Sequence, residues 1–160
     1  MSQTHTAAQA AGPDRAAQLS RLRMSSLGAV VMLILEFVLG MIYNLYGTAP
    51  TSATSIGLFS SPVLALHVIL ALLLLLAAVG QLVRAISLRH PLSVWLSAAG
   101  LAAIVAAGGA GLGFTGHGAA GASLGMSLAF AVALACYVVM AFVLPGTSPA
   151  GASAEGPSTT

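Results

Sequence analysis

Four apolar runs divide the chain, at approximately 25–47, 62–84, 92–115 and 122–144, and short polar or turn-forming stretches separate them. A membrane span needs about 20 mainly apolar residues at a rise of about 1.5 Å each, and all four qualify. The second is the cleanest, with VILALLLLLAAVG unbroken, while the third is rich in glycine, which membrane helices tolerate better than soluble ones. None of the runs alternates apolar and polar residues with period two, as the strands of a membrane barrel do. A bilayer core offers no water to the backbone, so helices that bond internally are the remaining solution. The pattern predicts an all-α fold: a four-helix transmembrane bundle over 25–144. It is flanked by a partly disordered N-terminal tail (1–24) and a disordered C-terminal tail (145–160), both without apolar periodicity. Within the first tail, DRAAQLSRLRM is expected to form a short interfacial helix with Asp14 near its start. Span 1 is too long for a signal peptide and follows more than twenty largely polar residues, so a signal anchor is expected.

Composition narrows the class. The 160 residues are 58% hydrophobic and 5% charged, with a mean hydropathy of +1.00. A soluble domain carries about 25% charged residues, so this chain cannot cover a water-facing surface. The net charge of +2 comes from five arginines and no lysine against Asp14, Glu36 and Glu155, which leaves no basic surface for nucleic acid. Cys136 is the single cysteine and lies in an apolar run, so no disulfide or CxxC pair exists. Arg15, Arg21 and Arg23 precede span 1 and Arg84 and Arg89 separate spans 2 and 3, while 48–61 and 116–121 carry no Lys or Arg. The positive-inside rule then puts both termini in the cytoplasm of a multi-pass plasma-membrane protein, with Tyr43 and Tyr46 at the outer interface and Trp95 at the inner one.

Motifs are sparse. Gly111, Gly113 and Gly116 match G-x-G-x-x-G, but at the end of a span rather than between a strand and a helix, so a dinucleotide site is not expected. The spacings Gly109/Gly113 and Gly121/Gly125 instead suit close helix packing.

The intramembrane polar residues are Glu36, Asn44 and Tyr137. Ser25, Gly28, Ala29, Met32, Glu36, Gly40, Asn44 and Gly47 form one helical stripe, which turns Glu36 toward the bundle interior or a partner. Ionisable residues at such depth are costly and point to function; the bland alternative is a protonated carboxyl bonded to a neighbouring helix. On span 2, His67, Ala71, Ala78, Gln81 and Ala85 form a similar stripe. His67 lies roughly 7–8 Å shallower than Glu36 by helical rise, and side chains lean toward their helix N-termini. On antiparallel spans the two diverge, so direct contact is not expected. Tyr137, deeper and leaning outward, is the expected hydrogen-bond donor to Glu36. His67 converges instead with His117, and Met41 and Met126 fall at similar depth, a set that suits a b-type haem or a copper ion. His90 falls in the short arginine-bearing loop and His5 in the tail.

EFVLGMIYNLYG, LALHVILALLLLLAAVGQLVRAI and SLGMSLAFAVALACYVVMAFVL resemble small four-span membrane proteins of high-GC Gram-positive bacteria. The resemblance spans about 25–144 and implies a plasma-membrane location without an assigned activity. A fainter similarity to half of a haem A synthase bundle rests on an inward-facing histidine near the outer end of a span; that family's further histidines and external cysteine pair are missing here. Three functions follow as expectations. The first is a non-enzymatic accessory or interaction subunit in the lipid bilayer, meeting a membrane-protein partner or forming a homo-oligomer. The second is a haem- or copper-binding redox protein, and the third a proton or small-solute conduit centred on Glu36. The arginine distribution gives one test of orientation. An alkaline phosphatase reporter inserted at Gly57 should be active and one inserted at Arg89 inactive; the opposite pattern would reverse the topology.

Overall fold

The computed structural model describes residues 4–47, 50–51, 54–118 and 120–143, with side chains from Ala17 onward except those of His117 and Ala120. Four helices follow one another: α1 (Thr4–Tyr46), α2 (Pro62–Leu88), α3 (Pro91–His117) and α4 (Ala120–Val143). Each contains a segment long and apolar enough to cross a membrane, and at most 28% of the most apolar window of any of them is buried. Large apolar side chains such as Leu35, Leu73, Leu76, Leu128 and Phe142 face outward. Such a surface is stable only in lipid, so the chain is a multi-pass membrane protein.

The helix starts and stops are local chemistry. Ser61 caps α2, its hydroxyl accepting from the Leu64 N–H at 3.2 Å, with Pro62 at the first helical position. His90 caps α3 through Nδ1, which accepts from the Ser93 N–H at 3.4 Å, again with a proline following. Arg89 adopts a left-handed conformation (φ 50°) to close the two-residue turn between α2 and α3. Gly118 (φ 62°) ends α3, where a Cβ would lie 2.9 Å from the Pro50 carbonyl oxygen. The α1–α2 connection crosses that end of the bundle, the Ile56 N–H donating to the Thr115 carbonyl at 2.9 Å.

One boundary departs from the sequence expectation. Helix α1 begins at Thr4, so the short helix expected over DRAAQLSRLRM is continuous with the span and extends back over 4–13, which were expected as tail. AAQAA and the following RAAQLSRLR are built from strong helix formers, whose propensity acts without any apolar periodicity. Residues 144–160, expected as a disordered tail, lie outside the described residues.

Each helix packs against the next and α4 returns to α1, leaving α1/α3 and α2/α4 as the diagonals. Neighbours are antiparallel: Ser26 and Glu36 on α1 meet Gln81 and His67 on α2 in reverse order. Likewise Ser97 and Gly100 on α3 meet Met140 and Tyr137 on α4. Buried positions recur at alternating steps of four and three: Leu22, Ser26, Ala29, Leu33, Glu36; Leu74, Ala78, Gln81, Ala85; Ser93, Ser97, Gly100, Ile104; Ala133, Tyr137, Met140. That spacing belongs to left-handed bundles with ridges-into-grooves packing. It also rotates the inner face of α1 away from the expected stripe. Ser26 and Leu33 are buried, whereas Gly28 and Asn44 are exposed, because a 3.5-residue seam drifts from a straight 3.6-residue stripe over five turns.

A polar layer ties all four helices together near the arginine-bearing end. Gln81 Nε2 donates to Ser26 Oγ at 2.6 Å and approaches Met140 Sδ at 3.4 Å, while Ser97 Oγ donates to the same sulfur at 3.7 Å. Ser26 Oγ in turn donates to the Leu22 carbonyl at 2.9 Å. The glutamine therefore bridges the α2/α4 diagonal. One turn away, the Tyr137 ring lies against Gly100, where a Cβ would sit 3.0 Å from Cε2 and Cζ. A substitution of Gly100→Leu should destabilise the bundle by about 1–3 kcal/mol through overpacking, and Tyr137→Leu should relieve part of that loss. Thermal unfolding in detergent checks both, and an unchanged melting temperature for Gly100→Leu would contradict this packing.

Candidate functional site

Glu36 and His67 meet. The carboxylate Oε2 lies 2.5 Å from His67 Nδ1, joining α1 to α2 in the half of the bundle away from the arginines. Glu36 is 7% exposed, and the His67 side chain keeps 27% of its surface. Neither Glu36 Oε1 nor His67 Nδ1 makes a directional hydrogen bond to a described residue, so the contact is one of charge or a shared proton.

This overturns the expectation that the two side chains diverge. Gly40 explains the difference. It lies one turn beyond Glu36 on α1, and the position of its absent Cβ is 3.5 Å from His67 Cε1 and 4.0 Å from Nδ1. The imidazole settles against bare backbone and brings Nδ1 within reach of the carboxylate. The glutamate side chain covers the remaining rise of one turn, about 5.4 Å. The general lean of side chains toward helix N-termini gives way to a specific pocket. A small residue four positions after a buried acid, opposite a histidine, is the signal that depth counting missed.

The second expected contact is also absent. Tyr137 is fully buried and faces the interior, as its proposed role required. However, its hydroxyl has no hydrogen-bond partner among the described residues, because the ring is held by Gly100 of α3 rather than turned to α1. Asn44 is exposed on α1, so its amide is not part of the inner seam.

The haem or metal candidates are dispersed in character. His67 commits Nδ1 to Glu36, and Met41 is exposed. Met126 places its sulfur 3.5 Å from where a Gly111 Cβ would stand, between α3 and α4. His117 is the last residue of α3, and its side chain lies outside those described. No group of three or more His, Cys, Asp or Glu side chains fit to hold a metal occurs among the described residues. Gly111, Gly113 and Gly116 all fall within α3, which removes the strand–turn–helix context a dinucleotide site needs. Cys136 is a half-buried free thiol on α4.

On α4, the ring of Phe130 stacks on Phe37, with centroids 5.0 Å apart. Phe37 is the neighbour of Glu36, so α1 turns its acid to α2 and its aromatic ring to α4. The polar layer of Ser26, Gln81, Ser97 and Met140 supplies further interior groups. Of these, only Gln81 was part of a sequence stripe; serines are too common in membrane helices to be singled out by pattern.

No protein-family model, curated protein or solved structure matches the chain. What the site can do is therefore read from its chemistry: an acid and an imidazole share a contact in an apolar surround, with one carboxylate oxygen left over. A double-mutant cycle on Glu36→Ala and His67→Ala should give a coupling energy of about 1–2 kcal/mol, at the upper end for interhelical contacts in membranes. Reversible unfolding in mixed micelles measures it, and additive single effects would mean that the contact does not hold α1 to α2.

Proposed function

We propose that this protein is a non-enzymatic accessory or interaction subunit of the plasma membrane, with both termini cytoplasmic. We further propose that it meets a partner transmembrane helix through the outward face of α3 and α4. The observation that carries this is a shallow apolar groove of about 500 Å³ on that face, lined by small residues including Ala99, Ala102, Ala106, Gly125 and Ala129. Along the same two helices Gly108, Gly109, Gly113 and Gly121 have nothing within 4 Å of where a Cβ would stand. The expected packing pairs Gly109/Gly113 and Gly121/Gly125 are thus largely unused inside the bundle. The close approaches of α3 to α4 fall instead at Gly125 with Ala110, at 3.7 Å, and at Gly111 with Met126.

Lipid tails are as apolar as leucine, so helices associate in membranes chiefly where small residues let backbones approach. The outward faces of α1 and α2 carry Leu, Ile, Val and Phe, which suit lipid. The Ala/Gly groove suits another helix. The arginine distribution supports the orientation, and the short connections leave little room for a soluble catalytic site.

A photo-crosslinking residue at Ala102 or Ala129 should give a discrete protein adduct in native membranes, while one at Leu76 on α2 should label lipid. Ala106→Leu should suppress the adduct without unfolding the bundle. An adduct of twice the chain mass would identify a second copy as the partner. Equal labelling at all three positions would reject the docking face.

A further inference from the structure

We propose that the Glu36–His67 pair is the loading site of a proton path along the bundle axis, with Tyr137 as the next carrier and the Gln81 layer beyond it. This is independent of the α3–α4 docking face. Three buried side-chain oxygens lack a hydrogen-bond partner among the described residues: Glu36 Oε1, Tyr137 Oη and Gln81 Oε1. Buried polar atoms of this kind ordinarily hold ordered water. Glu36 is more than nine-tenths buried, so its free oxygen faces protein and not solvent.

The three atoms follow one another along the axis. On α4, Phe130 stacks on Phe37 at the level of the acid, and Met140 touches Gln81 in the polar layer. Tyr137 lies between those two levels. The interval from Glu36 to Ser26 is ten residues of α1, about 15 Å, and is otherwise lined by Leu33, Leu74, Ile104 and Ala133. The Tyr137 hydroxyl is the polar group that can anchor water across it. Beyond the layer, Ser93 lies one turn from Ser97 on the buried face of α3, and its Oγ lies 3.1 Å from His90 Nδ1 at the arginine-bearing end. A histidine thus stands near each end of the interior file.

The transfers conserve protons. A proton arriving at His67 Nε2 makes the ring cationic, and the Nδ1 proton crosses to Glu36 Oε2. The carboxyl turns its O–H inward and passes the proton to water on the Tyr137 hydroxyl, from which the next proton leaves toward Gln81. One proton enters for each that leaves; His67 is left as the Nε2–H tautomer, and exchange of its ring protons with water returns it to the Nδ1–H tautomer before the next transfer. The other titratable groups of the packed helices are few. Tyr43 is two turns from Glu36 on α1, Cys136 neighbours Tyr137 on α4, and His117 ends α3. Arg21, Arg23, Arg84 and Arg89 all belong to the opposite end, with Arg23 about 20 Å from Glu36 along α1.

Purified full-length protein in liposomes loaded with a pH-sensitive dye tests this under a potassium diffusion potential. Wild-type protein should move protons faster than protein-free vesicles. Glu36→Gln and Tyr137→Phe should each slow that flux by about a hundredfold, the lower end for loss of a positioned proton-transfer group. Both variants preserve shape, and retained helicity and melting temperature would confirm folding. Glu36→Asp should keep part of the flux. Wild-type flux no greater than that of empty vesicles, or equal flux in folded Glu36→Gln, would overturn the proposal.

Discussion

A carboxyl group in the middle of an apolar helix must find a partner inside the protein, because the bilayer offers none. Much of the arrangement of α1 and α2 answers that constraint. Gly40 gives the imidazole a seat, His67 supplies the nitrogen, and the backbones can come together only in the register that lets those three residues align. The stacked Phe37 and Phe130 rings then fix the opposite flank of the same turn against α4. At the arginine-bearing end the constraint recurs in neutral form, where Gln81 divides its amide between Ser26 and Met140. Two polar anchors about 15 Å apart along α1 hold a bundle whose other described helix-to-helix contacts are largely apolar packing.

Glycine serves opposite purposes in different parts of the fold. Gly40 and Gly100 face inward and each receives an aromatic side chain, His67 and Tyr137 respectively. Gly108, Gly109, Gly113 and Gly121 have open space beside them. A local sequence window does not distinguish these uses, because the difference lies in which helix stands opposite. That also explains why the Gly109/Gly113 and Gly121/Gly125 spacings do not coincide with the close approaches of α3 to α4.

The four spans were legible because a long apolar run has few alternatives in any solvent, and α2 and α3 start at Pro62 and Pro91, within one residue of the expected span starts. Inward placement of Glu36 was also legible from periodicity, whereas Tyr137 was reached only through its depth and lean. Their partners were not. Depth along a helix can be counted, but a contact depends on rotamer, on the 3.5-residue seam and on whether a neighbour such as Gly40 leaves space. The errors over Glu36 with His67 and over Glu36 with Tyr137 have this common origin. Asn44 shows the same drift, lying just off the seam and therefore exposed. The reach of α1 back to Thr4, beyond the helix expected over DRAAQLSRLRM, escaped notice for a different reason, since helix propensity without amphipathicity leaves no periodic trace.

The connectivity of the Glu36–His67 contact bears on how the protein reaches the membrane. Both residues belong to α1 and α2, which precede α3 and α4 in the chain, and neither needs the later helices to be present. An isolated first helix would have to present its acid to lipid while waiting for the rest of the chain. As a hairpin with α2, it enters with the acid already matched. The glutamine layer, by contrast, has ligands on the first, third and fourth helices and is completed only when the last has arrived. The order of the helices along the chain thus lets the acid and imidazole meet early, whereas the amide layer needs the last helix.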